Sequence, residues 1–196
     1  MKEIAVIDYN AGNIQSVLFA LERLDVRSIL TRDPEILSRA EKIIFPGVGE
    51  ASTTMNYLRR HHLDEVIRAF DRPFLGICLG LQLMCRHSEE GDVDCLGVFD
   101  IPVVRFPEQK GLKVPHMGWN SVRFTDHPFL ANIAQDSYFY FVHSYYADLS
   151  DVTIGTTHYA VDFTSVLARD NFMATQFHPE KSGPVGQVLL QNFINI

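Results

Sequence analysis

The sequence predicts an α/β fold: an open mixed, mainly parallel sheet flanked by helices, with additional antiparallel strands in the C-terminal half. Three observations carry this expectation. Up to residue 70, short apolar runs alternate with segments of helical period, as in βαβ units. The apolar run 74–77 passes through Gly76 into Cys78 and Gly80, and Leu79, Leu83 and Met84 then recur at helical spacing. A strand turning sharply into a helix is written this way. Beyond residue 99 the apolar runs are separated by short turns, the mark of hairpins.

Taken in order, residues 4–8 read as a buried strand. The polar turn Tyr9-Asn10-Ala11-Gly12-Asn13 follows, with Asn13 as N-cap of the next helix. In that helix Ile14, Val17, Leu18, Leu21 and Leu24 form one apolar face. A second strand is expected over 26–30, a short helix with proline at its start over 34–40, and a third strand over 42–45. That strand ends in Pro46-Gly47-Val48-Gly49. A helical stretch covers 55–70, broken near His61-His62, before strand 74–77. Parallel sheets gather ligands at the carboxyl ends of their strands, so the turns 9–13, 46–49 and 78–80 are expected on one rim. In the second half, 99–106, 119–124, 138–142, 153–157, 164–168 and 172–176 read as strands. Residues 184–194 close the chain as a helix opened by Pro184, with Val185, Val188, Leu189 and Phe193 on one stripe. No repeat or linker interrupts the pattern, so a single domain over 1–196 is expected.

Composition narrows the function classes. A chain of 196 residues, 46% hydrophobic and 21% charged, can bury a substantial core and is not of the disordered class. A net charge of −7 without a basic run argues against nucleic acid as the main partner. The cysteines Cys78, Cys85 and Cys95 contain no C-x-x-C pair, so neither a disulfide framework nor a structural zinc site is expected. A reducing cytoplasm, with no metal or other cofactor, is the expectation that follows. The N-terminus lacks a signal-peptide core, and no apolar run approaches membrane-spanning length.

Cys78 is the candidate nucleophile. Glycines on both sides tolerate a strained apex, and the following helix aims its N-terminal N–H groups at the sulfur. The same residues also fit a buried cysteine at a strand end, and this stretch alone leaves both readings open. A nucleophile needs a base, and the base an orienting group. His178 follows a strand, Pro179 stops further pairing, and Glu180 lies close enough to turn back to the imidazole. A lone histidine at a strand end is commonly structural; the His-Pro-Glu sequence in a chain with a cysteine elbow favours the functional reading. For an oxyanion, Leu79 offers a backbone N–H. The peptide at Val48, between Gly47 and Gly49, is free to take more than one orientation, although such a tetrapeptide also fits an ordinary turn.

The block 76–82, Gly-Ile-Cys-Leu-Gly-Leu-Gln, together with His178-Pro179-Glu180, resembles the class I glutamine amidotransferases. The resemblance runs over nearly the whole chain. Asp8-Tyr9-Asn10-Ala11-Gly12-Asn13, Pro46-Gly47-Val48-Gly49, Pro115-His116-Met117-Gly118-Trp119-Asn120, His143-Ser144-Tyr145 and 178–183 are similar to the glutaminase subunits of imidazole glycerol phosphate synthase. Leu81 stands where that family usually has methionine, a volume-conserving change.

The resemblance implies a Cys78–His178–Glu180 triad that hydrolyses L-glutamine through a thioester. It implies an oxyanion site from Leu79 and the Gly47-Val48-Gly49 loop, and glutamine held by Gln82, Glu90, His143, Ser144 and Tyr145. It further implies that ammonia passes to a separate (β/α)8-barrel cyclase subunit in a heterodimer. Tyr9, Asn10, Met117, Trp119, Asn120, Tyr140 and Lys181 would form the docking face and ammonia path. The alternatives are glutaminases of other synthases, a non-catalytic subunit, or a partnerless cysteine hydrolase. The Trp119 block argues against the first and the intact triad against the second.

Overall fold

The structure, a computed structural model, describes residues 3–9 and 14–196. Asn10 and the expected cap Asn13 lie outside the described residues. In the first half, strands β1 (Glu3–Ile7), β2 (Arg27–Thr31), β3 (Lys42–Phe45) and β4 (Phe74–Ile77) alternate with helices. These are α1 (Gln15–Glu22), α2 (Pro34–Arg39), α3 (Ala51–Arg60) and α4 (Leu63–Ala69). Helix α5 (Leu79–Met84) leaves β4 through Cys78. Then come β5 (His87–Ser88), β6 (Val93–Asp94), β7 (Pro102–Arg105), β8 (His116–Phe124), β9 (Ser137–His143) and β10 (Tyr145–Ala147). Strands β11 (Thr153–Tyr159), β12 (Val161–Arg169) and β13 (Phe172–Thr175) precede the closing helix α6 (Gly183–Asn195).

The sheet is mixed and runs β2-β1-β3-β4-β13-β12-β10-β7-β5-β6. From β2 to β13 every pairing is parallel. Beyond β13 the pairings are antiparallel except β5–β7, and β11, β8 and β9 branch from β12 as an antiparallel arm. Strands β3 and β4 are fully buried on both faces, which is why they read as unbroken apolar runs rather than alternating ones. Two hydrophobic layers result. Met55, Leu58 and Phe74 belong to one, and Phe139, Phe141, Phe163 and Phe177 to the other.

Several boundaries differ from expectation for identifiable reasons. The helix expected from residue 55 begins at Ala51, because the Glu50 carboxylate caps it by accepting Ser52 N–H at 3.0 Å and Thr53 N–H at 2.8 Å. Glutamate is not among the favoured N-cap types, so the sequence does not advertise this start. The break falls at His62, whose φ of 57° is left-handed. The run 99–106 is a strand only from Pro102, since Phe99 N–H bonds Met84 O and so ties the chain to the end of α5. Strands β5, β6 and β10 were not expected; they are too short to show a period. Helix α5 stops at Met84, so Cys85 is its C-cap rather than part of its inward face, although it is fully buried.

Because β1, β3, β4 and β13 are parallel, their carboxyl ends lie along one edge of the sheet. Tyr9, the 46–49 loop, Cys78 and His178 each follow one of these ends. The fold thus delivers the chemistry-bearing residues from four strands to one rim.

Candidate active site

Cys78 sits at φ 53° and ψ −106°, outside the regions open to most side chains, between the end of β4 and the start of α5. Its N–H is held by Thr175 O at 2.7 Å and its carbonyl by Gln82 N–H at 3.2 Å, so the strained backbone is fixed on both sides. The Gly47–Gly49 loop lies directly against this turn. A Cβ on Gly47 would collide with Ile77 O and Leu79 N, and one on Gly80 with Phe45 O. Only glycine allows the end of β3 and the start of α5 to approach this closely.

His178 Nδ1 donates to Glu180 Oε1 at 2.8 Å, and both side chains are almost completely buried. That bond sets the tautomer. Among the described residues, His178 Nε2 has no hydrogen-bond partner. The backbone is placed by the antiparallel arm: His178 N–H bonds Tyr140 O at 2.9 Å, and Ser182 Oγ bridges His178 O and Tyr140 N. Burial by itself would push the imidazole toward neutrality. The Cys78 sulfur and the Glu180 carboxylate outweigh it and hold His178 well above its ordinary range.

A cavity of about 320 Å³ opens at this point. Cys78, Leu79 and His178 line it together with Gly47, Val48 and Gly49. Gln82, Glu90, His143, Ser144 and Tyr145 complete the wall with Pro115 and Val142. The Gly47–Gly49 loop, the nucleophile candidate, the base candidate and all five expected glutamine-binding residues therefore share one cavity. Glu90 is half-buried, and its Oε2 accepts Ala51 N–H at 2.9 Å. Burial raises its carboxyl above the usual range, the Ala51 bond opposes this, and nearby Glu50 adds to the rise. A cationic group in the cavity would relieve that cost.

Leu79 N–H heads the first turn of α5, where a helical N–H has no intrahelical partner. Val48 N–H, the other expected oxyanion donor, is engaged instead by Tyr9 Oη at 3.0 Å. The Tyr9 hydroxyl in turn donates to Pro46 O at 2.7 Å, with Val48 O at 3.1 Å. Burial drives the phenol well above its ordinary range, so it stays protonated. Tyr9, expected on the docking face, is only 5% exposed and its hydroxyl is bonded to the Gly47–Gly49 loop.

The residues expected on the docking face divide according to strand alternation. Met117, Trp119 and Tyr138 are 63%, 55% and 60% exposed, and share one face of the β8–β9 ribbon with half-buried Tyr140 and Val142. The Trp119 and Tyr140 rings meet edge to face at 6.1 Å. Lys181 is half-buried at the end of the segment that carries Glu180. Asn120 is one position out of phase with Trp119 and turns to the opposite face. Its Nδ2 reaches His158 O at 3.0 Å and His116 Nε2 at 3.3 Å. Its side chain thus lies behind the ribbon, on the face opposite Trp119.

Two features were not expected from the sequence. His116 and His143 are bonded to each other at 3.0 Å, and His143 Nδ1 donates to Tyr145 O at 2.7 Å. With both ring nitrogens engaged inside the protein, His143 has no side-chain hydrogen bond left for a ligand. Gln176, fully buried, brings Nε2 to 3.6 Å from Cys78 Sγ. A long polar side chain between Thr175 and Phe177, within the mainly apolar run 172–177, was the available signal.

Comparison with known proteins agrees with this geometry. The family model "Glutamine amidotransferase class-I" matches residues 5–196. Imidazole glycerol phosphate synthase subunit HisH of Bacteroides thetaiotaomicron is 53% identical, over 99% of this chain and 100% of the relative. The subunit of the same name from Acinetobacter baylyi is 46% identical, over 99% and 98%. Among solved structures, a putative GMP synthase protein from Thermoplasma acidophilum superposes with a TM-score of 0.76 at 20% identity, covering 100% of this chain and 93% of that one. PurLQS from Thermotoga maritima gives 0.74 at 16% identity, over 99% and 98%, a likeness of fold. The chain belongs to the class I glutamine amidotransferases and, within them, to the family of imidazole glycerol phosphate synthase HisH subunits.

Proposed function

We propose that this chain hydrolyses L-glutamine to glutamate and hands the ammonia to a (β/α)8-barrel cyclase subunit in histidine biosynthesis. The observation that carries the reading is the meeting of Cys78, the buried His178–Glu180 pair and the Gly47–Gly49 loop in one cavity. In this mechanism the Cys78 thiolate attacks the side-chain amide carbon of glutamine. His178 gives a proton to the leaving ammonia, then takes one from the water that cleaves the thioester. Glu180 fixes the imidazole tautomer and stabilises its charged form. No cofactor is required, because the sulfur supplies the covalent step.

Glu90 fits the ammonium of glutamine. Gln82 commits both Nε2 hydrogens to Tyr145 O and Gln176 Oε1, so it offers substrate an acceptor only. Leu79 N–H is one oxyanion donor. Val48 N–H becomes the second when its peptide leaves Tyr9, a change we assign to the docked, ligand-bound cyclase. One such donor is worth about 3 kcal/mol, or about two decades of rate, so the free subunit is a poor glutaminase.

The partner would seat on Met117, Trp119, Tyr138 and Tyr140. Val142 belongs to that face and also lines the cavity, which supports an exit for ammonia beside the docked surface. Single-domain organisation over 1–196 and a cytoplasmic setting are part of the same reading. Free Cys78, Cys85 and Cys95 fit the latter, and among the described residues no helix is long and apolar enough to cross a membrane. The test follows glutamate release by the chain with and without the barrel cyclase and its ligand. Stimulation by that cyclase is expected; stimulation only by another synthase, or equal turnover by the free subunit, overturns the reading.

A further inference from the structure

We propose that Gln176 is a further catalytic residue: its side-chain N–H donates to the Cys78 sulfur and holds it as the thiolate, and a buried hydrogen-bond train aims it there. This rests on Cys78 being the nucleophile. The orientation of each amide and imidazole follows from its neighbour. Tyr145 O can only accept, so Gln82 presents Nε2 to it at 2.8 Å. The second hydrogen on that nitrogen goes to Gln176 Oε1 at 3.1 Å, which leaves Gln176 Nε2 facing Cys78 Sγ at 3.6 Å. Tyr145 O also receives His143 Nδ1–H, so His143 Nε2 must accept from His116 Nδ1–H, and His116 Nε2 from Asn120 Nδ2–H. Asn120 is fixed in turn by donating to His158 O and accepting Ser121 N–H at 2.8 Å. Every donor meets an acceptor only if both imidazoles are neutral, and burial holds both below the ordinary histidine range.

A buried amide this close to the sulfur acts where sulfur carries charge. It stabilises the free thiolate, loses most of its effect in the neutral thioester, and regains it in deacylation. There water bonds to the acyl carbon, its proton goes to His178, and the C–S bond breaks with its electron pair on sulfur. His143, His116 and Asn120 are positioning residues, acting through Tyr145 O and Gln82. Asn120 sits on the inner side of the strand that exposes Trp119, so the train starts directly behind the docking surface.

The test is alkylation of the full chain by iodoacetamide as a function of pH, with Cys78→Ser as the background for Cys85 and Cys95. Gln176→Leu removes the donor. Gln176→Glu keeps an acceptor for Gln82 but turns an oxygen on the sulfur. In both, the midpoint of alkylation should move to higher pH, and alkylation at neutral pH should slow about tenfold, the scale of a hydrogen bond to a charged group. His116→Phe keeps the ring stacking on Phe141 and Tyr159 and should produce a smaller shift in the same direction. An unmoved midpoint in cooperatively melting Gln176→Glu overturns the proposal even where Gln176→Leu fails to fold. Glutaminase activity surviving in Cys78→Ser would instead overturn the reading on which it rests.

Discussion

Tyr9 carries one hydroxyl proton and stands among three backbone groups of the 46–49 loop. The shorter contact, to Pro46 O, takes that proton, and the hydroxyl oxygen receives Val48 N–H. The resting orientation of the Val48 peptide is therefore tied to one side chain. Tyr9→Phe should release the N–H and raise glutamate production by the free subunit, about tenfold if part of one oxyanion donor is recovered. Its stability should fall by about 1 kcal/mol for the lost bond. Steady-state assays of the free subunit and a denaturant titration check the two effects; reduced free-subunit turnover would show that Tyr9 does not restrain the loop. As candidates, Cys78, His178, Glu180 and the loop glycines were legible because each lies in a short contiguous motif. Tyr9, Gln176 and the His116–His143 pair were not, because their roles depend on contacts between distant strands. Asn120 parts from Trp119 for a local reason: two neighbours on a strand face opposite ways.

At the scale of elements, β13 and β9 position His178. β13 pairs with β4 in register, Thr175 against Ile77, so the residues leaving both strands emerge side by side. Phe177, between Gln176 and His178, stacks on Phe139 of β9 at 4.0 Å and meets Phe141 at 5.6 Å. All three rings are fully buried. Phe177→Ala should cost about 3–5 kcal/mol. It should also loosen the His178–Glu180 pair, so activity should fall at temperatures where the variant is still folded. Thermal melting beside activity at a fixed low temperature separates these effects; an unchanged melt would mean the stack contributes little. The central parallel strands were readable because full burial writes them as apolar runs. The antiparallel arm was less readable, since its boundaries are set by pairing partners rather than by local composition. The start of α3 was hidden in a similar way, behind a capping Glu50.

At the scale of the molecule, three buried histidines make stability depend on pH in opposite senses. His116 and His143 are pushed down to about 4 and about 3 from 6.5, chiefly by burial. Between those values and 6.5 the unfolded chain binds protons that the native state does not, so stability should fall as pH drops through this window. His178 is raised, so its contribution is complete below 6.5 and is lost as pH rises toward its native value. Melting temperature should be highest near neutrality and decline on both sides. His116→Phe should flatten the acid side, and an unaltered acid slope would contradict the assignment.

Under the proposed function, Cys78, His178 and the exposed β8–β9 ribbon belong to one half of a two-protein enzyme. The most direct measurement is product formation by the cyclase complex containing Cys78→Ala, supplied with glutamine or with an ammonium salt. The account predicts loss of the glutamine-dependent reaction with the ammonia-dependent reaction retained. Retention of the glutamine-dependent reaction, or loss of both, would contradict it.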